Sequence, residues 1–311
     1  MSSKYILIDK NIIREGATFD FDIYFPPEST TEIKCCIGKG FVVTSENKTV
    51  LQEVEALYVI DAEHSEYKKY YKTYLDSIVK SKNVSFEAES KVLYKNASKI
   101  LLDFFENPEN MTNYDSIKKI VGDIVGTVAD EHFRVKSLMS EATGEYYVHT
   151  HSLNVTIYSL CLGTCIGLSK DELHELGESA MLHDIGKSKI DSAIIDKNGK
   201  LTKKEFEEVK KHALFGYEMA KKIGIKNENI LAGIIYHHEK IDGTGYPCGL
   251  KEEHIPLYAR IISICSIFNA ITSKRTYRDA LLTFDALKLM KLQMKDYLDS
   301  KLINKFIEIF K

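Results

Sequence analysis

The segment SKDELHELGESAMLHDIGK, residues 169 to 187, is the part of the chain that most clearly indicates its fold. Ser169 followed by Glu172 matches a capping box, in which each side chain bonds the backbone N–H of the other residue where a helix begins. The apolar residues that follow recur at helical spacing and end at His183 and Asp184. The segment therefore predicts a capped helix that delivers a histidine and a carboxylate at its C-terminal end.

Helical character extends over most of the chain. Segments of helical period, rich in Lys, Glu, Leu and Ile, run over residues 66–311, and no proline lies between Pro108 and Pro247. Thr202 with Glu205 forms a second capping-box pattern ahead of another helical segment. These features predict a helical bundle.

The first 65 residues have a different pattern. TFDFDIYF, residues 18 to 25, alternates apolar and acidic side chains, which is typical of a half-buried strand; its apolar positions are Phe19, Phe21, Ile23 and Phe25. The shorter segments EIKCCI, FVVTS and ALYVID are further strand candidates, separated by turns that contain Gly or Asn. We therefore predict an α+β protein whose small β-rich N-terminal module precedes an all-α bundle.

The predicted domain organisation has three parts. Residues 1–65 form the β-rich module, residues 66–140 a helical connector, and residues 141–311 the bundle. No catalytic grouping occurs in the first part, so we interpret it as an accessory or sensory module whose ligand the sequence does not identify.

Composition excludes several classes of protein. A formal charge of −3 over 311 residues argues against a surface that coats a nucleic-acid polymer. No run approaches the ~20 apolar residues of a membrane span, and the N-terminus lacks the pattern of a secretory signal. The six cysteines form no CxxC pair, so we expect buried reduced thiols rather than disulfides or a zinc finger, and a cytoplasmic location.

Five of the ten histidines are placed to face a core. Ile230, Ile234 and His237 follow one helical stripe in NILAGIIYHHEK, and Leu231, Ile235 and His238 follow the neighbouring stripe. Two further inward positions come from other segments: Phe206, Val209 and His212 make a third stripe, and His151 begins a strongly apolar helix. His183 completes the set.

A shared metal site explains why five imidazoles would be buried together. Any one of them alone is typical of a satisfied core histidine. Burying five imidazoles and the Asp184 carboxylate without partners would lower the stability of the fold, by on the order of a few kcal/mol for each polar group. Neutral imidazole and carboxylate are good ligands for iron, manganese or zinc. The other histidines lie in polar contexts and are interpreted as surface residues, with His149 left ambiguous: His64, His132, His174 and His254.

The ordered motifs resemble the HD-GYP family. They are His151, HDIGK at 183 to 187, His212, HHE at 237 to 239 and DGTGYP at 242 to 247. The resemblance covers residues 140–310, about half of the chain. It implies a helical bundle with two or three metal ions, usually iron or manganese, and hydrolysis of the bacterial second messenger cyclic di-GMP.

The resemblance implies a role for each matching residue. His151, His183 and Asp184 would hold one metal, and Asp184 would bridge to a second held by His212, His237 and His238. Asp184 and Lys187 would be catalytic, with Lys187 also neutralising the phosphate. Substrate contacts would come from the loop and from a basic run: Gly243, Gly245, Tyr246, Arg275 and Arg278. For the two arginines, a solvated surface run is the alternative interpretation.

Two positions depart from the family pattern. Ser266 stands where the family expects an aspartate ligand of the first metal, and Asn269 stands where a second aspartate is usual. Either water fills the gap and leaves a weaker first site, or that metal is lost. Some members add a third metal through a glutamate four residues before the first histidine. That position is Tyr147 here, with Glu145 two residues earlier, so two ions are expected.

Three functions remain open at this stage. The first is a metal-dependent phosphodiesterase that converts cyclic di-GMP to linear pGpG, GMP or both, regulated by the N-terminal module. The second is a catalytically weakened relative that senses the nucleotide or docks a partner. The third is a hydrolase of another phosphoester, such as a different cyclic dinucleotide. A homodimer or a signalling partner is also compatible with the connector helices.

Overall fold

The computed structural model describes residues 5–25, 35–54, 56–79, 86–107, 111–130, 132–142, 147–197, 199–274 and 279–310. The chain divides into two compact units, Met1–Val84 and Ser85–Lys311. The three functional parts predicted from the sequence, with boundaries at residues 65 and 140, remain a prediction, because the two compact units are defined by packing and not by function.

The first unit contains a four-stranded antiparallel sheet in the order β1-β4-β2-β3. The strands are β1 Tyr5–Leu7, β2 Ile23–Tyr24, β3 Cys35–Ile37 and β4 Tyr58–Ile60, and the helices of this unit are α1 Ser45–Glu53 and α2 His64–Val79. The predicted alternation is visible in the burial of Phe19, Phe21 and Ile23, although only β2 pairs as a strand. Helix α2 covers this apolar face, since its Tyr70 ring packs edge-on against Phe19 with centroids 4.9 Å apart.

The predicted strand at FVVTS, residues 41 to 45, is wrong. Thr44 instead caps α1: its hydroxyl accepts a hydrogen bond from the Asn47 N–H, and the Asn47 side chain accepts one from the Thr44 N–H. Phe41 is 48% exposed and Val42 is 53% exposed, so of the apolar run that suggested a strand only Val43, at 1% exposed, reaches the core. The cap therefore outweighs the β propensity of this segment.

Among the residues that the structure describes, the regular secondary structure of the second unit is helical. The helices are α3 Phe86–Glu106, α4 Met111–Asp130, α5 His132–Glu141, α6 Val148–Cys165, α7 Lys170–Leu182, α8 Ser192–Ile195, α9 Lys203–Lys210, α10 His212–Lys222, α11 Glu228–Tyr236, α12 Leu257–Thr272, α13 Thr283–Gln293 and α14 Ser300–Glu308. Short 3-10 turns at Ile185–Lys189 and Glu252–His254 join some of them. The predicted combination of a small β-rich part and a mostly helical bundle is confirmed.

Helix α6 lies at the centre of this bundle. Every residue from His151 to Gly163 is buried, polar ones such as Ser152 and Asn154 included, so this part of the helix has no face toward solvent. A helix that is buried all round lies in the core of a bundle, where other helices cover it. Its neighbours include α7 and α12, and these three helices bring their functional side chains to one end of the bundle.

Both predicted capping boxes form. The Ser169 hydroxyl accepts the Glu172 N–H at 3.3 Å, and the Glu172 carboxylate accepts the Ser169 N–H at 2.7 Å. Thr202 and Glu205 make the same exchange at 3.3 and 2.6 Å. These caps fix where α7 and α9 begin.

The third predicted stripe is only partly correct. His212 is fully buried, but Phe206 is 45% exposed. The reason is a break in the helix, because α9 ends at Lys210 and α10 begins at His212. The two segments therefore do not share one continuous face.

The cysteines are reduced, as expected, but not all of them are buried. No disulfide joins them; Cys161 and Cys265 lie in the core, whereas Cys35, Cys165 and Cys248 are exposed. The exposed thiols lie on a strand, at a helix end and in a loop, where no apolar layer covers them. Among the described residues, no helix combines the length and apolar character that crossing a membrane requires.

Candidate metal centre

Six side chains from four segments of the helical unit converge on one buried point. They form two groups that share Asp184: the first contains His151 and His183, and the second contains His212, His237 and His238. Within each group the candidate ligand atoms lie within 4.8 Å of one another. The structure thus brings together all six residues that the sequence proposed as metal ligands.

Asp184 lies at the junction of the two groups. Its Oδ2 is 3.3 Å from His183 Nε2 and 3.6 Å from His151 Nε2. Its Oδ1 is 3.3 Å from His212 Nε2 and 3.9 Å from His237 Nε2. One carboxylate oxygen therefore faces each group, which is the geometry of a bridging ligand.

A glycine places Asp184 beside α10. Gly186 packs so closely that a Cβ built on it would lie 2.0 Å from the His212 carbonyl oxygen and 2.5 Å from the Gly216 nitrogen. Only a residue without a side chain permits that backbone contact. The turn after α7 therefore reaches the segment that carries His212.

Backbone carbonyls set the tautomers of three imidazoles. The Nδ1 atoms of His183, His212 and His237 lie 2.6 to 2.7 Å from the carbonyl oxygen three residues earlier in each case, namely Ala180, Val209 and Ile234. A carbonyl can only accept, so each ring donates its Nδ1–H. Each Nε2 then presents a lone pair toward Asp184, as a metal-ligating imidazole does.

His151 is held differently, by two side chains of α12. Its Nδ1 is 2.7 Å from Asn269 Oδ1, so the ring donates to an amide oxygen. Its Nε2 is 3.2 Å from Ser266 Oγ. The two residues that depart from the family pattern thus contact opposite nitrogens of the same ring, and Ser266 lies on the side that faces Asp184.

Burial favours the neutral form of four of the imidazoles, because it lowers the pKa values of His151, His212, His237 and His238. It lowers the pKa of His151 to about 3 and that of His212 to about 4. Burial by itself would raise the pKa of the Asp184 carboxyl, but the Lys187 ammonium and the adjacent His183 outweigh it and hold that pKa well below its usual range. The centre therefore combines neutral nitrogen donors with an ionised carboxylate.

The polar atoms of this centre are not satisfied by the protein itself. His212 Nε2 and His237 Nε2 lie 3.2 Å apart, yet both rings carry their proton on Nδ1, so two acceptors face each other. His183 Nε2 and Asp184 Oδ1 are buried and make no hydrogen bond within the described part of the chain. A cation between these atoms would remove both penalties, and the donor set suits a divalent metal.

Lys187 contacts the Asp184 carboxylate directly. Its Nζ lies 2.6 Å from Asp184 Oδ2, and its side chain is 17% exposed. This contact places one positive charge at the mouth of an otherwise buried centre. An ammonium here can neutralise either the carboxylate or an anionic group that approaches from solvent.

Glu239 was not assigned a role from the sequence. Its buried carboxylate accepts backbone N–H bonds from Cys248 at 2.7 Å, Gly249 at 3.1 Å and Leu250 at 3.0 Å. It thus ties the far end of the following loop to the end of α11. The sequence signal for this role was an acidic residue directly after two inward-facing histidines and just before a loop with three glycines.

The loop also lies against the second group. The Tyr246 ring stacks on His238 with centroids 4.7 Å apart and an angle of 23°. A Cβ on Gly245 would lie 2.4 Å from the Lys240 nitrogen, and Gly243 has a φ of +79°. Both glycines are therefore needed for the path of the backbone, and Tyr246 lines the second group.

Other predicted positions lie apart from the centre or outside the described residues. Arg275, Arg278 and Glu145 belong to segments that the structure does not describe, as does the side chain of His132. His149 is partly exposed and stacks against Tyr147. The remaining surface histidines are absent from both groups, as expected; they are His64, His174 and His254.

The sequence matches known proteins over its helical unit. The HD-domain family model matches residues 129–302. The chain is 32% identical over 189 residues to the cyclic di-GMP phosphodiesterase PA4108 of Pseudomonas aeruginosa, which covers 61% of this chain and 45% of that protein. It is 36% identical over 154 residues to the 3'3'-cGAMP-specific phosphodiesterase 3 of Vibrio cholerae, covering 49% of this chain and 33% of that protein.

A third relative and one solved structure extend the comparison. The cyclic di-GMP phosphodiesterase response regulator RpfG of Xanthomonas campestris is 42% identical over 118 residues, or 37% of this chain and 31% of that protein. The chain thus spans less than half the length of these three relatives. Bd1817, an HDG"Y"P protein from Bdellovibrio bacteriovorus, superposes with a TM-score of 0.71 over 99% of both chains at 18% identity, which shows a shared fold.

Proposed function

The chain belongs to the HD-domain family, in its HD-GYP branch, and from this premise we propose that it is a metal-dependent phosphodiesterase of cyclic di-GMP. Its products would be linear pGpG, GMP or both. Relatives that bear the name cyclic di-GMP phosphodiesterase support this substrate. A cytoplasmic location and a homodimer or signalling partner accompany the proposal as predictions.

The observation that carries the proposal is the contact between two acceptors, His212 Nε2 and His237 Nε2, beside an ionised carboxylate. Nitrogen and carboxylate donors in this mixture suit iron, manganese or zinc, and the family resemblance favours the first two; two ions would fit the two groups that share Asp184. When bound, such ions supply Lewis acidity toward phosphoryl oxygens and an activated water.

The chain's own residues would orient and neutralise the phosphodiester. Asp184 holds the two groups at a fixed separation, and Lys187 offers an ammonium at the mouth of the centre. Tyr246 and the backbone at Gly243 and Gly245 would form one wall of the substrate cleft. Arg275 and Arg278 are proposed to contact phosphate or guanine edges, because a guanidinium forms paired hydrogen bonds with such groups.

A second candidate function rests on Ser266. Its hydroxyl stands 3.2 Å from His151 Nε2, where a carboxylate would complete the first group. A neutral hydroxyl is a weaker ligand than a carboxylate, so the first metal site would bind less tightly than the second. If that site stays empty at cellular metal concentrations, the chain would bind the nucleotide as a sensor or docking module without turnover.

One assay separates the two functions. The purified chain, loaded with Mn²⁺ or anaerobically with Fe²⁺, is incubated with cyclic di-GMP, and pGpG and GMP are quantified. Turnover that is lost in D184N and kept in H254N supports the enzyme, since His254 lies outside both groups. Binding without turnover supports the sensor, and turnover of 3'3'-cGAMP alone would assign a different cyclic dinucleotide.

A further inference from the structure

A small apolar pocket opens beside the metal centre. Its volume is about 200 Å³, and four of its lining side chains are apolar: Phe105, Val148, Ile190 and Ile195. Two charged residues, Lys187 and Asp196, and two serines complete the lining. Its walls come from α3, the start of α6, the turn after Asp184 and α8, all within the second unit.

Two residues connect this pocket to the first metal group. Val148 precedes His151 by three residues on α6, and Lys187 follows Asp184 by three, so each lies on the same face as a candidate ligand. Lys187 also links the pocket to the first metal group, since its side chain lines the pocket while its Nζ lies 2.6 Å from Asp184 Oδ2. Tyr246, by contrast, contacts the second group.

The lining matches one part of a nucleotide. The pocket is mostly apolar, which suits the flat face of a nucleobase, and Phe105 offers an aromatic ring for stacking. Its single carboxylate, Asp196, is an acceptor without donors when ionised. Guanine presents two adjacent donors, N1–H and the N2 amino group, whereas adenine presents an amino donor beside a bare ring nitrogen. A carboxylate therefore pairs twice with guanine and at most once with adenine.

We propose that this pocket is a guanine-binding subsite, in which Asp196 selects guanine and the apolar wall holds the ring. The proposal deepens the proposed function and rests on it, because it assigns a place to one base of a cyclic dinucleotide whose phosphate lies at the metal centre. Lys187 then stands between the base and the Asp184 carboxylate, where it would meet the phosphate.

The test compares nucleotides rather than only activity. Binding of cyclic di-GMP, cyclic di-AMP, GMP and AMP to the Mn²⁺-loaded full chain is measured by calorimetry for the wild type, D196N and F105L. We expect D196N to weaken the guanine ligands by about tenfold, since a lost paired base contact has that effect, and to leave the adenine ligands unchanged. F105L should weaken all four ligands, because stacking does not distinguish bases.

The exposed Asp171 at the start of α7 provides a matched control, and D171N should bind every nucleotide as the wild type does. For cyclic di-GMP hydrolysis, D196N should raise KM and keep kcat. Unchanged guanine affinity in D196N would overturn the subsite, whether or not the chain hydrolyses anything. A wild type that hydrolyses no cyclic dinucleotide but shows the GMP preference would refute the enzyme and keep the subsite.

Discussion

Asn269 and His151, 118 positions apart in the sequence, are joined by a hydrogen bond of 2.7 Å between Oδ1 and Nδ1 in the buried core. The amide oxygen fixes which nitrogen of the ring carries the proton and so turns Nε2 toward Asp184. The Asn269 Nδ2 atom is buried and makes no hydrogen bond within the described part of the chain. The neutral Asn269 amide thus orients the His151 ring. An aspartate carboxylate could orient it in the same way but would add a negative charge.

We expect N269A to weaken metal binding at the first group. Partners that orient a ligating imidazole typically contribute about 10- to 100-fold in metal affinity, and the tighter second group should be unaffected. Competition between the protein and a calibrated chelator measures both affinities. T272A is the control on the same helix, because within the described part of the chain its hydroxyl bonds only the backbone carbonyls of Phe268 and Asn269 and no side chain of the centre. Equal loss from both sites would show a general structural effect instead.

We expect S266D to raise the metal content of the purified protein from about one ion per chain toward two. The new carboxylate would stand beside His151 Nε2, where the serine hydroxyl lies at 3.2 Å, and would add the negative charge that a second cation needs. Elemental analysis of anaerobically purified protein measures this. S266A should resemble the wild type, since it removes only a weak donor. Identical metal content in S266D and the wild type would contradict this account.

The sequence predicted this centre because its ligands follow simple helical spacing. Ile230, Ile234 and His237 share a stripe, and the structure buries all three. The capping box at Ser169 located the helix that presents His183. Helical stripes and capping boxes involve residues only a few positions apart, so they can be recognised directly in the sequence.

Other features required the folded chain. The bond from His151 to Asn269 joins residues that only the packing of α6 on α12 brings together. The exposure of Phe206 follows from a helix break at Lys211 that no proline or glycine announces. The role of Glu239 appears only when the loop folds back, because its three partners are backbone groups rather than side chains.

We expect E239Q to loosen the loop beside Tyr246. A glutamine accepts with one oxygen only, so at least one of the part-buried N–H bonds from Cys248, Gly249 and Leu250 is lost, at a cost of about 1 kcal/mol. Hydrogen exchange should rise at these three amides, and KM should rise more than kcat falls. The exposed Glu252 offers the control E252Q on the same loop. Unchanged exchange in E239Q would show that the carboxylate does not hold the loop.

Two glycine substitutions should have opposite effects. In G186A the new Cβ would collide with the His212 carbonyl oxygen at 2.0 Å, so we expect a loss of several kcal/mol, about 3 or more, in the free energy of unfolding. In G126A, on α4, the Cβ meets nothing within 4 Å, and alanine should stabilise the helix by about 0.5 to 1 kcal/mol. Urea denaturation measures both. A neutral G186A would mean that the turn and α10 can separate freely.

Metal should stabilise the fold independently of any turnover. The facing acceptors on His212 and His237 and the buried Asp184 Oδ1 atom lose their penalty only when a cation lies among them. Mn²⁺ at 100 times its dissociation constant should therefore add about 2.7 kcal/mol to the free energy of unfolding. Thermal denaturation with and without chelator measures this. H237A should abolish most of the shift, because the second group then loses a ligand, whereas H254N should retain all of it. A chelator that leaves the wild-type midpoint unchanged would mean that these imidazoles bind no cation in solution, and the proposed enzyme would lose its basis.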